Sequence, residues 1–341
     1  MAEQKKFSLK QIAAQSGLSL ATVDRALHQR GKVHPQTLHR IQQAMADLDL
    51  QQKASLARGR TIYFDVIMHT PVRFSELVRE AFISQISSFV SFRIQLRFHC
   101  YENMTVADVE ALLKKCAVSS HGIILKAINA PELVPTIESL IKQRIPVVTI
   151  VTDIPDSARL RYIGMDNFNA GKAAAYMMSK WLKTESGCIA AITGSEEFIG
   201  EQERISGFIS GIGQFIPQCK IAVISGGFGL DRLMYECVSQ FLHHDRQIDA
   251  VYTVGGGNSG ILQALAEHNI HPDAFIGHDL DRENRALMQA GKIDVLIEHN
   301  LELDAQNAFK TLLAFHRFLP EHDYQMPWSR INIITRFNMS F

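Results

Sequence analysis

From Thr61 onward the hydrophobic period of the chain switches again and again. "TIYFDVIM", "FRIQLRFH", "GIILKA" and "IPVVTIV" are short β-rich runs, and helical stretches lie between them over 76–89, 106–117 and 131–143. A second series opens after "YIGMDN". It has a helix over 170–182, "CIAAIT", a helix near 204–212, "IAVISGG", a helix from Asp231, "AVYTVGGG", a helix from Ser259, "AFIGHD", a helix from Arg282 and "DVLIEHN". Alternation of strand and helix periods is the mark of βαβ units and a parallel sheet. Two series predict an α/β body of two similar halves, each a doubly wound parallel sheet. Such sheets bind ligands at the carboxyl ends of their strands. Two of them facing each other make a cleft that closes by hinge motion.

At 341 residues the chain is long enough for two or three compact units. "MAEQKKFSLK" runs straight into polar helical sequence, and no apolar run approaches the roughly 18 residues of a membrane span. A cytoplasmic protein without a membrane partner is expected. The five cysteines lie far apart without CxxC spacing, which argues for free, mostly buried thiols rather than a disulfide framework or a zinc ribbon. His243-His244-Asp245 and His268 with His271 have no metal-site pattern, so neither a metal nor a cofactor is expected.

A formal net charge of zero hides an asymmetry: residues 1–60 hold ten Lys and Arg against four Asp and Glu. A basic head on an acidic body suits a polyanionic partner for the head alone. In that head Leu9, Ile12 and Ala13 share one helix face, and Val23, Ala26 and Leu27 another. Gly17 can supply the positive φ of a tight turn between them, Leu18 can plug it, and Ser19 can cap the second helix. Pro35 suits the first turn of a third helix whose inner face is Ile41, Ala44, Met45 and Leu48. The result is an all-α helix-turn-helix. The N-terminal side chains of its second helix, Ser19, Leu20, Ala21 and Thr22, would read bases in a major groove, with Arg25, Arg30 and Lys32 facing the same side for phosphate contacts.

"LKQIAAQSGLSLATVDRALHQRGKVHPQTLHRIQQAMADLDL" resembles the DNA-binding domain of lactose-repressor-family transcription regulators, without a gap from Leu9 to Leu48. The resemblance places its base-reading positions on Leu20, Ala21 and Arg25, with Arg25 the candidate for a guanine or phosphate contact. Asp24 replaces a usual Ser, and would orient Arg25. His34 replaces a usual Ser cap. It also implies a hinge helix that wedges a Leu into the minor groove, for which Leu56 in "QQKASLARGRT" is the candidate, although the Pro-Asn pair that precedes such helices is missing.

The body resembles the periplasmic sugar-binding fold of that family and of ribose-type binding proteins: "PVVTIV", "YIGMDNFNAG", "ERISGF", "IGHD" and "IEHN" follow in its order. The resemblance implies effector contacts from Phe74 and Phe228 as aromatic walls, Lys126 as a polar contact, Arg204 as a fork onto hydroxyls, Asp279 as their acceptor, and His299 at a chain crossing. Lys126 in a cleft would need an anionic partner, either Asp279 or Glu298 or an acidic group of the effector. "GGGNSG" at 255–260 is no dinucleotide fingerprint. Its glycines either let backbone N–H groups and Asn258 approach a ligand or form a tight strand-to-helix turn.

The expected division is a helix-turn-helix domain over 1–50, a hinge over 51–60 and an effector and dimerisation domain over 61–341. Its N-subdomain takes about 61–164 and 300–325, its C-subdomain about 165–299 and 326–341. Together these readings describe a repressor of a sugar or polyol catabolic operon. It would bind a pseudo-palindromic operator as a homodimer or tetramer and respond to a sugar, polyol or sugar phosphate. The competing reading is a sugar or phosphate-ester enzyme fused to a DNA-binding head, for which Asp279 with His299 is the one acid–base pair available; no catalytic residue is expected.

Overall fold

The computed structural model describes residues 7–28, 30, 33–57, 61–184, 186–244, 247–319 and 328–339. The chain forms two compact units: Met1–Ile62 with Phe89–Ile94 and Leu313–Tyr324, and a larger one of Tyr63–Ser88, Gln95–Leu312 and Gln325–Phe341.

The amino-terminal stretch of the first unit forms the helices α1 (Leu9–Ser16), α2 (Leu20–Leu27) and α3 (Pro35–Ala57). Ser8 and Gln11 close a capping box on α1, and Gly17 ends it in the left-handed region at φ 66°. Arg40 of α3 donates from Nη2 to the Ser16 carbonyl at 2.8 Å, satisfying an acceptor at the end of α1. Ser19 caps α2 through the Thr22 amide. Ile12, Ala13, Val23, Ala26 and Ile41 make the core with Phe7, and Leu18, Met45 and Leu48 pack against it. His34 does the work of the missing Ser cap, its Nδ1 3.3 Å from the Gln36 amide. Helix α3 runs on to Ala57, through most of the segment read as a hinge. Lys32 and the Leu56 side chain lie outside the described residues.

The body follows in the order β1 (Thr61–His69), α4 (Val72–Gln85), β2 (Arg93–Tyr101), α5 (Val106–Ala117), β3 (Gly122–Lys126), α6 (Leu133–Lys142), β4 (Val147–Ile150), β5 (Arg161–Ile163), α7 (Asn167–Trp181), β6 (Cys188–Thr193), α8 (Ile199–Phe215), β7 (Lys220–Ser225), α9 (Asp231–His244), β8 (Ala250–Thr253), α10 (Asn258–Glu267), β9 (Ala274–His278), α11 (Arg282–Gln289), β10 (Val295–Glu298), α12 (Leu301–Phe315) and β11 (Asn332–Ile334).

Two sheets result, ordered β2-β1-β3-β4-β5 and β11-β10-β9-β8-β6-β7. Pairing is parallel from β1 through β3 and β4 to β5, and from β7 through β6, β8 and β9 to β10; β11 runs antiparallel to its neighbour β10. Central strands such as β3 and β4 are buried along their whole length, as sheets covered by helices on both faces require. Strand order reverses between β1 and β3 in one sheet and between β6 and β8 in the other. A crevice opens at the carboxyl ends of strands on either side of such a reversal.

Helices α7 and α8 touch through glycine. A Cβ on Gly207 would stand 1.9 Å from the Phe168 carbonyl oxygen, and one on Gly171 2.0 Å from the Arg204 carbonyl oxygen. Only backbone against backbone fits there, and that contact sets where α8 carries Arg204. Of the cysteines, Cys116 and Cys188 are buried and Cys100, Cys219 and Cys237 only partly so, fewer buried than the sequence suggested. Among the described residues no helix is long and apolar enough to cross a membrane.

Candidate functional site

The switch points of the two sheets bring their strand ends to one cleft, whose empty volume with its open mouth is about 680 Å³. From the first lobe come His69 and Thr70 after β1, Arg73 and Phe74 at the start of α4, and Lys126 at the end of β3. The second lobe supplies Arg204, Phe228, Gly255, Gly256, His278, Asp279, Asp281 and Asn284.

Lys126 is buried at 8% exposure. Its Nζ donates to the His69 carbonyl at 2.9 Å and lies 4.2 Å from the centre of the Phe198 ring. Burial pulls the ammonium down to about 8, against the opposite pull of Glu201. The expected ion pair with Asp279 or Glu298 is not formed: among the described residues no carboxylate reaches Lys126 within 4.0 Å. Glu201 is instead taken up by the Thr193 hydroxyl and the amides of Gly194 and Ser195.

Arg204 is 3% exposed, and neutral acceptors hold it. Its Nε donates to Asn167 Oδ1 at 2.9 Å, Nη1 to the Val254 carbonyl at 3.1 Å, and Nη2 lies 2.6 Å from His299 Nε2. Burial holds His299 well below the usual histidine range, so its neutral ring accepts from Arg204 through Nε2. Asp279 stands at the mouth of β9 with φ 66°. Burial pushes its carboxyl up to about 7, against the pull of the Arg204 guanidinium. Aromatic faces complete the walls. Phe228 stacks on His69 at 5.7 Å, Phe198 meets the same ring edge-on at 5.5 Å, and Phe74 is buried at 7% exposure.

Five of the seven residues expected at an effector thus line one cleft: Phe74, Lys126, Arg204, Phe228 and Asp279. Asn258 and His299 stand outside its lining. Asn258 donates from Nδ2 to Asn284 at 2.7 Å, and it is Asn284, bonded to the His278 and Asp279 carbonyls, that reaches the cleft. Over the triple glycine the space belongs to Arg73, whose Nη2 would lie 1.9 Å from a Cβ on Gly256. His69, Arg73, Phe198, His278 and Asp281 were not found from sequence. Only the strand ends carrying His69 and His278 gave a signal. Both histidines line the cleft, and in both Nδ1 has no hydrogen-bond partner.

Asp65, His99 and Cys116 are the described residues that come together as possible metal donors. Asp65 is already gripped by Arg97 through both oxygens, at 2.9 and 2.5 Å, and by His99 at 2.8 Å, an ion-paired cluster rather than an open metal site.

Behind the cleft, Asp304 is bonded by the Ser329 hydroxyl, and burial pushes its carboxyl up to about 7. An unfolded aspartate titrates near 3.9, so the native state holds the proton more tightly. That contribution to stability is complete below the unfolded value and is lost as pH rises through 7. Asp304→Asn retains an acceptor for Ser329 without titrating. Urea unfolding is expected to show the variant gaining on the wild type between about pH 5 and pH 8. A difference that does not vary with pH would contradict the assignment.

In the head, Leu20 is 46% exposed at the start of α2, and Ala21 and Arg25 share its outer surface. Arg25 lies back along its own helix, Nε donating to the Ala21 carbonyl at 3.3 Å. Asp24 does not orient it: its carboxylate meets His28 at 2.8 Å and Arg30 at 3.6 Å. Residues four apart share a helix face and adjacent ones do not, so His28 is the natural partner.

HTH-type transcriptional regulator MalR of Streptococcus pneumoniae is 22% identical over 307 residues, which are 87% of this chain and 89% of that protein. Among solved structures, GanP, a glucose-galactose binding protein from Geobacillus stearothermophilus, superposes with a TM-score of 0.71 at 22% identity, over 83% of this chain and all of its own. A putative LacI transcriptional regulator from Bacteroides fragilis does so with a TM-score of 0.70 at 18% identity, over 82% of this chain and 98% of that one. These two likenesses show the fold of the body. A helix-turn-helix head and a two-lobed binding body on one chain define a DNA-binding transcriptional regulator. The family model for bacterial regulatory proteins of the lacI family matches residues 8–51, and that for the periplasmic binding protein domain matches 105–316. The chain belongs to the family of the periplasmic binding protein domain, and its head is a DNA-binding domain of the lacI type of bacterial regulatory proteins.

Proposed function

We propose that this regulator is a cytoplasmic repressor of a sugar or polyol catabolic operon. A small polar effector held between the lobes of its body changes its affinity for the operator. The observation that carries this reading is the pair of cleft histidines, His69 and His278, buried and with Nδ1 unpartnered, beside Arg204 and three phenylalanine faces. Ring hydroxyls that accept from Arg204, donate to Asp279 and bond neutral imidazoles suit such a lining, and a sugar's apolar face suits the aromatic walls. GanP, of the same fold, is described as binding glucose and galactose. Lys126, without a carboxylate within 4.0 Å, is the place for an acidic group if the effector is a sugar phosphate. Calorimetry on a neutral sugar and its phosphate with Lys126→Met separates these two effector classes.

The enzymatic alternative needs Asp279 and His299 as an acid–base pair. His299 is bonded through Nε2 to Arg204, and its Nδ1 faces Asp304 Oδ2 at 3.9 Å, which favours a binding protein.

One recognition helix makes too few base contacts for a tight specific site, so we propose a homodimer on a pseudo-palindromic operator. Arg25→Ala should cost about 1 to 3 kcal/mol on that operator and relax base preference at one position. Gel shifts on operator and scrambled DNA across a salt series test this. Equal losses on both sequences would remove the base-reading role, and an operator complex that no sugar, polyol or sugar phosphate alters would sink the effector reading.

A further inference from the structure

Arg73 starts in the first turn of α4, on the first lobe, and ends against the second. Its Nε donates to Asp281 Oδ2 at 2.9 Å, with the arginine side chain 19% exposed and the aspartate 3%. Asp281 is held in place, since its Oδ1 accepts from the Asn284 amide at 2.7 Å as the N-cap of α11. The outer edge of the guanidinium lies over bare backbone. A Cβ on Gly256 would come within 1.9 Å of Nη2, and one on Gly229 within 3.3 Å. Both glycines sit at positive φ, 82° and 70°, where other residues are strained. An arginine paired at a free surface needs no such notch; this one occupies a seat with room for the guanidinium and for no side chain beneath it.

We propose that Arg73 is the closure latch of the cleft. Seated on Gly229 and Gly256 and paired with Asp281, it ties the first lobe to the second across the mouth of the site. The contact exists only when the lobes are closed, so its free energy adds to the closed state alone. Apparent effector affinity scales with the closed fraction, and the latch therefore sets affinity and response without being the group that recognises the effector. Arg73 is a positioning residue, and its role rests on the reading of the cleft as the effector site.

Hydrogen exchange on the ligand-free full chain tests the latch without knowledge of the effector. Arg73→Met keeps the apolar stem and removes the pair, whereas Asp281→Asn keeps an N-cap acceptor and removes the charge. Each is expected to speed amide exchange at 255–257 and 281–284 by about tenfold or more, with little change in the urea midpoint of the whole chain. The double variant should be no faster than either single one, because one contact is lost in all three. Gly256→Ala, which fills the seat, should act in the same direction. Unchanged exchange in Arg73→Met, additive effects in the double variant, or a fall in global stability that accounts for the local change would each overturn the latch. Failure of the effector reading shows elsewhere, as a wild-type operator complex indifferent to every small molecule tried.

Discussion

Arg204→Met is expected to abolish the effector response while the head keeps its intrinsic affinity for DNA. The guanidinium is buried and held by Asn167, the Val254 carbonyl and His299, so its orientation is set before any effector arrives. A hydrogen bond from a buried charged donor contributes roughly 1.5 to 3 kcal/mol, and losing even one weakens effector binding by at least about tenfold. Losing two removes it from the measurable range of most titrations. Met fills the apolar space but leaves Asn167 Oδ1 and the Val254 carbonyl short of a donor, a cost of about 1 to 3 kcal/mol each, offset in part because a buried charge disappears. Unfolding in urea should show a net loss of about 2 kcal/mol. Calorimetry that finds wild-type effector affinity in the variant would remove Arg204 from the site.

The second large effect is expected at Gly207. A methyl group there would meet the Phe168 carbonyl oxygen at 1.9 Å and its carbon at 2.8 Å, both backbone of α7. No rotamer change relieves that collision, so α7 and α8 must part. Overpacking costs about 1 to 3 kcal/mol where side chains can yield, and Gly207→Ala should lie at or above the top of that range. Gly213 in the same helix is the control, because nothing lies within 4 Å of its added Cβ. Gly213→Ala should stabilise by about 0.4 to 1 kcal/mol through the unfolded chain and the helix propensity of alanine. Thermal melts of the two variants that moved together would refute the packing argument.

Much of the architecture was readable because it rests on local causes. The switch between strand and helix periods needs no distant partner, and the turn at Gly17 and cap at Ser19 are decided within a few residues. Lys126 and Asp279 were candidates through the resemblance to the periplasmic sugar-binding fold, and both stand at strand ends, where a doubly wound sheet presents its ligand groups. Asp24 shows the same rule from the other side. Its partner His28 is set by helix spacing alone, and the expectation that it would orient Arg25 had overlooked that adjacent residues point apart.

The amino-acid order by itself determined the class of each unit: a basic three-helix head with an exposed recognition helix, and two doubly wound sheets whose strand ends carry polar groups. What only the tertiary structure decided is which groups meet. His69 and His278 stand more than two hundred residues apart, and Arg73 reaches Asp281 over a similar separation to close on Gly229 and on Gly256 of a run that in sequence fits a ligand loop or a tight turn alike. The strength of the Arg73–Asp281 pair comes from burial and from a distance of 2.9 Å. Both depend on how two sheets and two glycine-paired helices are packed, and the periodicity of a single chain segment contains neither.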